Sequence, residues 1–125
     1  MTPTILLVDD DDFARHFSRV VLERAGYCIV EATDVASAVE AAHGHRFGVV
    51  LADFFLPDGN GVELARRLHE KDAQLPILLI SGDTSQVDAL TSSEHFAAVI
   101  QKPFTPATLA QAVAAAQARA ATPVS

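Results

Sequence analysis

The chain has 125 residues, half of them hydrophobic, with a net charge of −7 and a pI near 5.0. This is the length of one domain with enough apolar content for a core, which excludes a disordered chain. The acidic balance argues against nucleic-acid binding, which needs a basic surface to neutralise phosphates, and against docking on an anionic membrane.

The opening Met1-Thr2-Pro3 lacks a basic segment followed by an apolar one, so no signal peptide is expected. The first apolar run, Ile5–Val8, is short, rich in Ile, Leu and Val, and ends in four acids, Asp9 to Asp12. It reads as a buried strand. Phe13–Ala25 follows with helical spacing. Ala14, Phe17, Val21 and Ala25 form its expected core face, flanked by Phe13 and Val20 on one side and Leu22 on the other. The apolar arc is about 200° wide, where about 100° would suffice for burial. The excess is read either as partial burial at the edges or as a docking strip of Phe13, His16 and Val20. Asp11 and Asp12 read as acids that cap the helix start and favour its dipole.

Cys28–Ala32 is the second strand. The single Cys28 cannot form an internal disulfide and reads as a small buried hydrophobe, in keeping with a reduced, cytoplasmic setting. Val35–His43 is the second helix. Gly26 and Gly44 stand where a helix-terminating glycine would sit. Val49–Ala52 is the third strand, ending in Asp53, and a turn with Gly59 and Gly61 leads to a helix over Val62–Lys71. Ile77–Ile80, opened by Pro76, runs to Ser81, Gly82 and Asp83. A helix is expected over Gln86–Ser92, a fifth strand over Ala97–Ile100, and a last helix over Ala107–Ala120, opened by Pro106. Leu109 and Val113 seat that helix; its remaining surface is small and nearly neutral, with Arg119 its one charge, and admits a symmetric homodimer. No apolar run approaches the roughly 20 residues of a membrane span. His43-Gly44-His45 lacks a third metal ligand, and His16, His69 and His95 lack a Ser or Cys partner for a triad.

Strand and helix alternating about five times is an α/β pattern with a parallel sheet. Sites in such sheets form at the C-terminal ends of the strands. There the chain places Asp9 and Asp10, then Asp53, then Ser81, then Lys102. Two carboxylates about 4 Å apart repel by about 4 kcal/mol at an effective dielectric of about 20, so three need compensation. Lys102 offsets one; a divalent cation offsets the rest, and hard oxygen ligands suit Mg²⁺. Metal and ammonium on two sides of Asp53 make a pocket for a phosphoryl group, whose transfer depends on positioning and charge neutralisation.

Four segments in order, ILLVDDDDFAR, VVLADFFLP, PILLISG and QKPF, resemble the receiver domain of two-component response regulators over nearly the whole chain. The resemblance implies a flavodoxin-like, doubly wound sheet of five parallel strands in the order 2-1-3-4-5 with five helices. It implies a domain over residues 1–121, with 122–125 a tail or the start of a linker. Asp53 would take a phosphoryl group from a histidine kinase or a histidine phosphotransfer protein. Asp10 and Asp53 would bind Mg²⁺ directly, Asp9 mainly through water, and the Phe55 carbonyl would complete the protein ligands. Lys102 and Ser81 would hold phosphoryl oxygens, and the Lys102–Pro103 bond would be cis. The domain would signal rather than act as an enzyme on other substrates.

One departure from that family is Val99, which stands where receivers usually carry Tyr or Phe. A valine has no ring to rotate and is stiff at χ1, so it cannot make the ring movement by which the family usually relays phosphorylation to the surface. Phe55, two residues past Asp53, would stand near the route of an attacking water or else pack under a neighbouring loop. Two other readings stay open at this point. One is a Mg²⁺-dependent phosphohydrolase with an aspartyl nucleophile at Asp9, although Phe13 is too large for that motif. The other is a receiver-shaped interaction module that takes no phosphate.

Overall fold

The computed structural model describes residues 3–82 and 96–121, the last three by backbone only. The expected helix over Gln86–Ser92, Asp83, His95, the Arg119 side chain and the tail 122–125 lie outside the described residues. The elements run β1 (Thr4–Val8), α1 (Asp12–Arg24), β2 (Cys28–Ala32), α2 (Val35–Gly44), β3 (Val49–Asp53), a hairpin of β4 (Phe55–Leu56) and β5 (Gly59–Asn60), α3 (Gly61–Lys71), β6 (Ile77–Ser81), β7 (Ala98–Gln101) and α4 (Pro106–Ala121). The five long strands form one parallel sheet in the order β2-β1-β3-β6-β7. With the hairpin set aside, this is the flavodoxin-like order 2-1-3-4-5 expected from the sequence.

Strand alternation sorts the core into two layers. Leu6, Val8, Val50, Ala52 and Ile77 face α2 and α3, packing on Val35, Ala38, Leu64, Ala65 and Leu68. Ile5, Leu7, Leu51, Leu78 and Ile80 face α1 and α4, packing on Leu22, Leu109 and Val113. Each fully buried Leu or Ile contributes about 1.5–3 kcal/mol, so both faces must be covered for the sheet to hold.

The helix ends follow local chemistry. Asp11 caps α1, its carboxylate accepting from the Phe13 N–H at 3.2 Å. Gly26, at φ +101°, ends α1: its N–H bonds the Glu23 carbonyl at 3.0 Å while the Tyr27 N–H bonds Leu22 at 3.1 Å. A left-handed residue closed by that pair of bonds favours glycine. Asp34 and Ser37 cap α2 reciprocally. Asp58, from the hairpin, also accepts from the Val35 and Ala36 N–H groups at 2.8 and 3.0 Å. These bonds hold its carboxyl below the ordinary carboxylate range and tie the segment after Asp53 to α2.

Three expectations fail. The buried face of α1 is Ser18 and Leu22, whereas Phe17 is exposed and Phe13 is 83% exposed. A small side chain at position 18 lets the helix approach the sheet, and Phe17 turns aside to meet Phe104, ring centroids 6.1 Å apart. Cys28 is exposed, because it opens β2 at the edge of the sheet, where only β1 pairs with it. Gly44 is the last helical residue rather than a left-handed terminator; α2 ends at His45, extended at φ −136°, whose N–H bonds Ala41 at 3.1 Å. Leu109 and Val113 are buried as expected. Among the described residues no helix is long and apolar enough to cross a membrane.

Candidate functional site

Sheet register assembles the site. Val8 pairs with Ala52, so the next residues, Asp9 and Asp53, stand at the ends of adjacent strands. Asp53 pairs with Ile80, and Ser81 pairs with Gln101, which brings Ser81 and then Lys102 to the same edge. Asp9, Asp10, Asp53, Ser81 and Lys102 are thereby gathered at one end of the sheet. Their separation in sequence is large, and only a parallel topology places all their strand ends together.

Carboxylate oxygens of Asp9, Asp10 and Asp53 all lie within 4.8 Å of one another. Asp9 is 3% exposed, Asp53 is 9% exposed, and Asp10 is open to solvent. Burial pushes the Asp9 carboxyl above its ordinary range; the Asp11 N–H, which Asp9 Oδ1 accepts at 2.9 Å, opposes this, and the Asp53 charge adds to it. The Lys102 ammonium reaches Asp53 Oδ2 at 3.2 Å. Three hard oxygen donors, one of them open to water, fit Mg²⁺, which keeps several waters and takes few carboxylates. Among the described residues this is the group of three or more His, Cys, Asp or Glu placed to hold a metal. The His43-Gly44-His45 segment is used otherwise: Lys71 Nζ lies 3.3 Å from His43 Nδ1, and His45 Nδ1 lies 3.3 Å from the Ala41 carbonyl.

Backbone bonds fix the frame. The Phe54 N–H donates to Ile80 at 3.0 Å and the Lys102 N–H to Ser81 at 2.9 Å. The Gly61 N–H bonds the Phe54 carbonyl at 2.8 Å. A Cβ on Gly61 would stand 2.5 Å from Leu79 Cδ1 and 2.9 Å from the Asp53 carbonyl oxygen, so close approach, not a left-handed turn, demands glycine there. The Lys102–Pro103 bond is cis. Ser81 is buried at the end of β6. Phe55 is 58% exposed, its ring edge-on to Phe54 at 4.7 Å, so its side chain is not tucked beneath a loop. Val99 lies on β7 opposite Leu79, partly buried.

An apolar groove of about 530 Å³ opens beside the acids, lined by Asp9, Phe13, Phe17, Lys102 and Phe104 among others. A second groove of about 600 Å³ shares Phe13 and Phe17 with it and runs on between α1 and α4 past His16, Val20 and Ala110. The strip Phe13, His16 and Val20 thus does form one wall of an open apolar channel. Sequence reasoning missed two residues that shape the site, Arg15 and Asp58. Arg15 carried a weak signal, standing three residues after Asp12 on a helix; Asp58 lay unremarked in the Pro57-Asp58-Gly59 turn.

The response regulator receiver domain family matches residues 5–114. The response regulator receiver protein CpdR of Brucella abortus is 37% identical over 101 residues, covering 80% of this chain and 84% of CpdR. The aerobic respiration control protein ArcA of Escherichia coli is 35% identical over 106 residues, covering 84% of this chain but 44% of ArcA. The chain therefore spans most of one curated relative and less than half of another. Among solved structures, a CheY-like receiver domain protein from Methanospirillum hungatei matches with a TM-score of 0.89 at 25% identity, covering 96% of this chain and 97% of that one. A receiver protein from Sinorhizobium medicae matches with a TM-score of 0.85 at 28% identity, covering 95% and 97%.

Proposed function

The chain belongs to the response regulator receiver domain family, and from that premise we propose that it accepts a phosphoryl group on Asp53 from a phosphohistidine of a partner protein. The observation that carries the reading is the Lys102 ammonium 3.2 Å from Asp53 Oδ2, beside two further carboxylates. An Asp53 oxygen forms the new bond to phosphorus as the bond from phosphorus to the histidine nitrogen breaks. Asp9, Asp10, Asp53 and the Phe55 carbonyl would hold Mg²⁺, which when bound neutralises charge on the phosphoryl oxygens. The Lys102 ammonium and the Ser81 hydroxyl donate to the phosphoryl oxygens once they arrive. Asp9 Oδ1 is occupied by the Asp11 N–H at 2.9 Å, whereas Asp53 Oδ2 faces the Lys102 ammonium. That favours the phosphoacceptor reading over a phosphohydrolase acting through Asp9.

The partner is a histidine kinase or a histidine phosphotransfer protein, and Phe13, His16 and Val20 offer it an apolar strip next to the site. The α4 surface serves contact with a second copy. The setting is cytoplasmic, and the domain assists its own phosphotransfer and slow dephosphorylation rather than acting on other substrates. The test is intact mass after incubation with acetyl phosphate and Mg²⁺. Wild type should gain one phosphoryl group, and none when a chelator is present from the start; Asp53→Asn should gain none. An adduct on Asp53→Asn equal to that on wild type would refute the assignment.

A further inference from the structure

We infer that Arg15 is a positioning residue of the acidic pocket, its guanidinium fixing the backbone turn that carries Asp9 and Asp10. This rests on the reading that those acids hold Mg²⁺. Arg15 Nη1 donates to the Asp9 carbonyl oxygen at 2.9 Å, Nε to Glu31 Oε1 at 3.0 Å, and Nη2 to Asp12 Oδ1 at 2.7 Å. One side chain on α1 is thus bonded to the β1–α1 turn, to β2 and to the start of its own helix. Its side chain is 15% exposed, so these bonds are partly shielded from water.

The Asp9 main chain is gripped on both sides. Its N–H bonds the Ala32 carbonyl at 3.1 Å on β2, and its carbonyl takes the Arg15 bond. The orientation of the Asp9–Asp10 peptide follows, and with it the direction in which each carboxylate leaves the chain. Glu31 is itself held by Arg19, which also pairs with Glu23 at 3.3 Å. The anchor on β2 is therefore not a free side chain. The three acceptors are served by three different nitrogens of one rigid planar group, Nε, Nη1 and Nη2, whereas a lysine offers its donors from a single atom on a flexible stem.

Charge and position predict opposite signs. As a mere cation, Arg15 repels a metal, and its loss would tighten Mg²⁺ binding. As the clamp on the turn, its loss loosens two ligands and weakens binding, as outer-shell partners of metal ligands commonly do by about tenfold or more.

The test is calorimetric titration of Mg²⁺ into the whole chain for wild type, Arg15→Lys, Arg15→Gln and Glu31→Gln. Hydrogen exchange of the Asp11 amide is followed in the metal-free proteins alongside. Both Arg15 variants should bind Mg²⁺ about tenfold more weakly, and their Asp11 amides should exchange faster, while β3 amides keep their protection. Glu31→Gln, which keeps Arg15 but frees its anchor, should shift both readouts the same way by less, and serves if an Arg15 variant does not fold. Mg²⁺ affinity unchanged or tighter in Arg15→Gln, or wild-type affinity in Arg15→Lys, would overturn the inference. A wild-type protein that binds no Mg²⁺ would overturn the reading of the site itself, and this inference with it.

Discussion

Lys102 and Asp53 meet at 3.2 Å although their strands are not neighbours: β6 stands between β3 and β7. The lysine must reach across the end of β6, over Ser81, to the carboxylate. The bond is charge-assisted and partly buried, a class worth about 1.5–3 kcal/mol. If the same ammonium neutralises the incoming phosphoryl group, Lys102→Met should slow phosphorylation by acetyl phosphate by about ten- to a hundredfold. Mg²⁺ affinity should rise in the same variant, because a competing cation is gone. Initial rates and a metal titration check both signs.

Asp9 should make the metal-free protein pH-sensitive. Its pKa in the folded chain is raised, first by burial, so between the ordinary value of 3.8 and that raised value the folded state holds the proton more tightly than the unfolded one. Stability therefore falls as pH rises through that window, and stays lower above it. Asp9→Asn should remove this slope. Removal of a buried charge, and of its repulsion by Asp53, should also stabilise the metal-free protein at neutral pH. Urea unfolding with chelator across pH measures this. Added Mg²⁺ should reverse the ranking, stabilising wild type more than the variant.

Phe55 stands two residues beyond Asp53 with its ring largely in solvent against Phe54. An exposed apolar ring next to a phosphoryl group hinders the approach of water. Phe55→Asn should shorten the lifetime of the acyl phosphate severalfold, read as decay of the mass adduct after donor removal. An unchanged lifetime would remove Phe55 from the account.

Much of this architecture was legible in the sequence because a buried parallel strand leaves a short apolar run and its covering helix a longer periodic one. The gathering of Asp9, Asp53, Ser81 and Lys102 followed from their places at strand ends. The rotation of α1 was not legible. Ala14, Phe17 and Val21 are as apolar as Leu22, so periodicity left an arc too wide to choose from. What decides it is the small Ser18, which permits close approach, and Phe104, which draws Phe17 aside. Arg15 and Asp58 were missed because their partners are main-chain atoms: the Asp9 carbonyl in one case, the Val35 and Ala36 amides in the other. Pattern reading pairs side chains and does not see such bonds.

Val99 tests how far signalling is separable from chemistry. It sits on β7, three residues before Lys102, and pairs in register with Leu79. Val99→Tyr should leave the rate and extent of Asp53 phosphorylation within about twofold of wild type, a difference of less than 1 kcal/mol. It should change phosphorylation-dependent partner binding or dimerisation, read by sedimentation with and without beryllofluoride. Identical association behaviour would show that position 99 takes no part in output.

The most direct measurement is the chemical identity of the modified side chain. After incubation with acetyl phosphate and Mg²⁺, reduction of the acyl phosphate with borohydride and peptide mapping will locate the modified residue. The account predicts modification at Asp53 alone. Modification at Asp9, with Asp53 untouched, would contradict it.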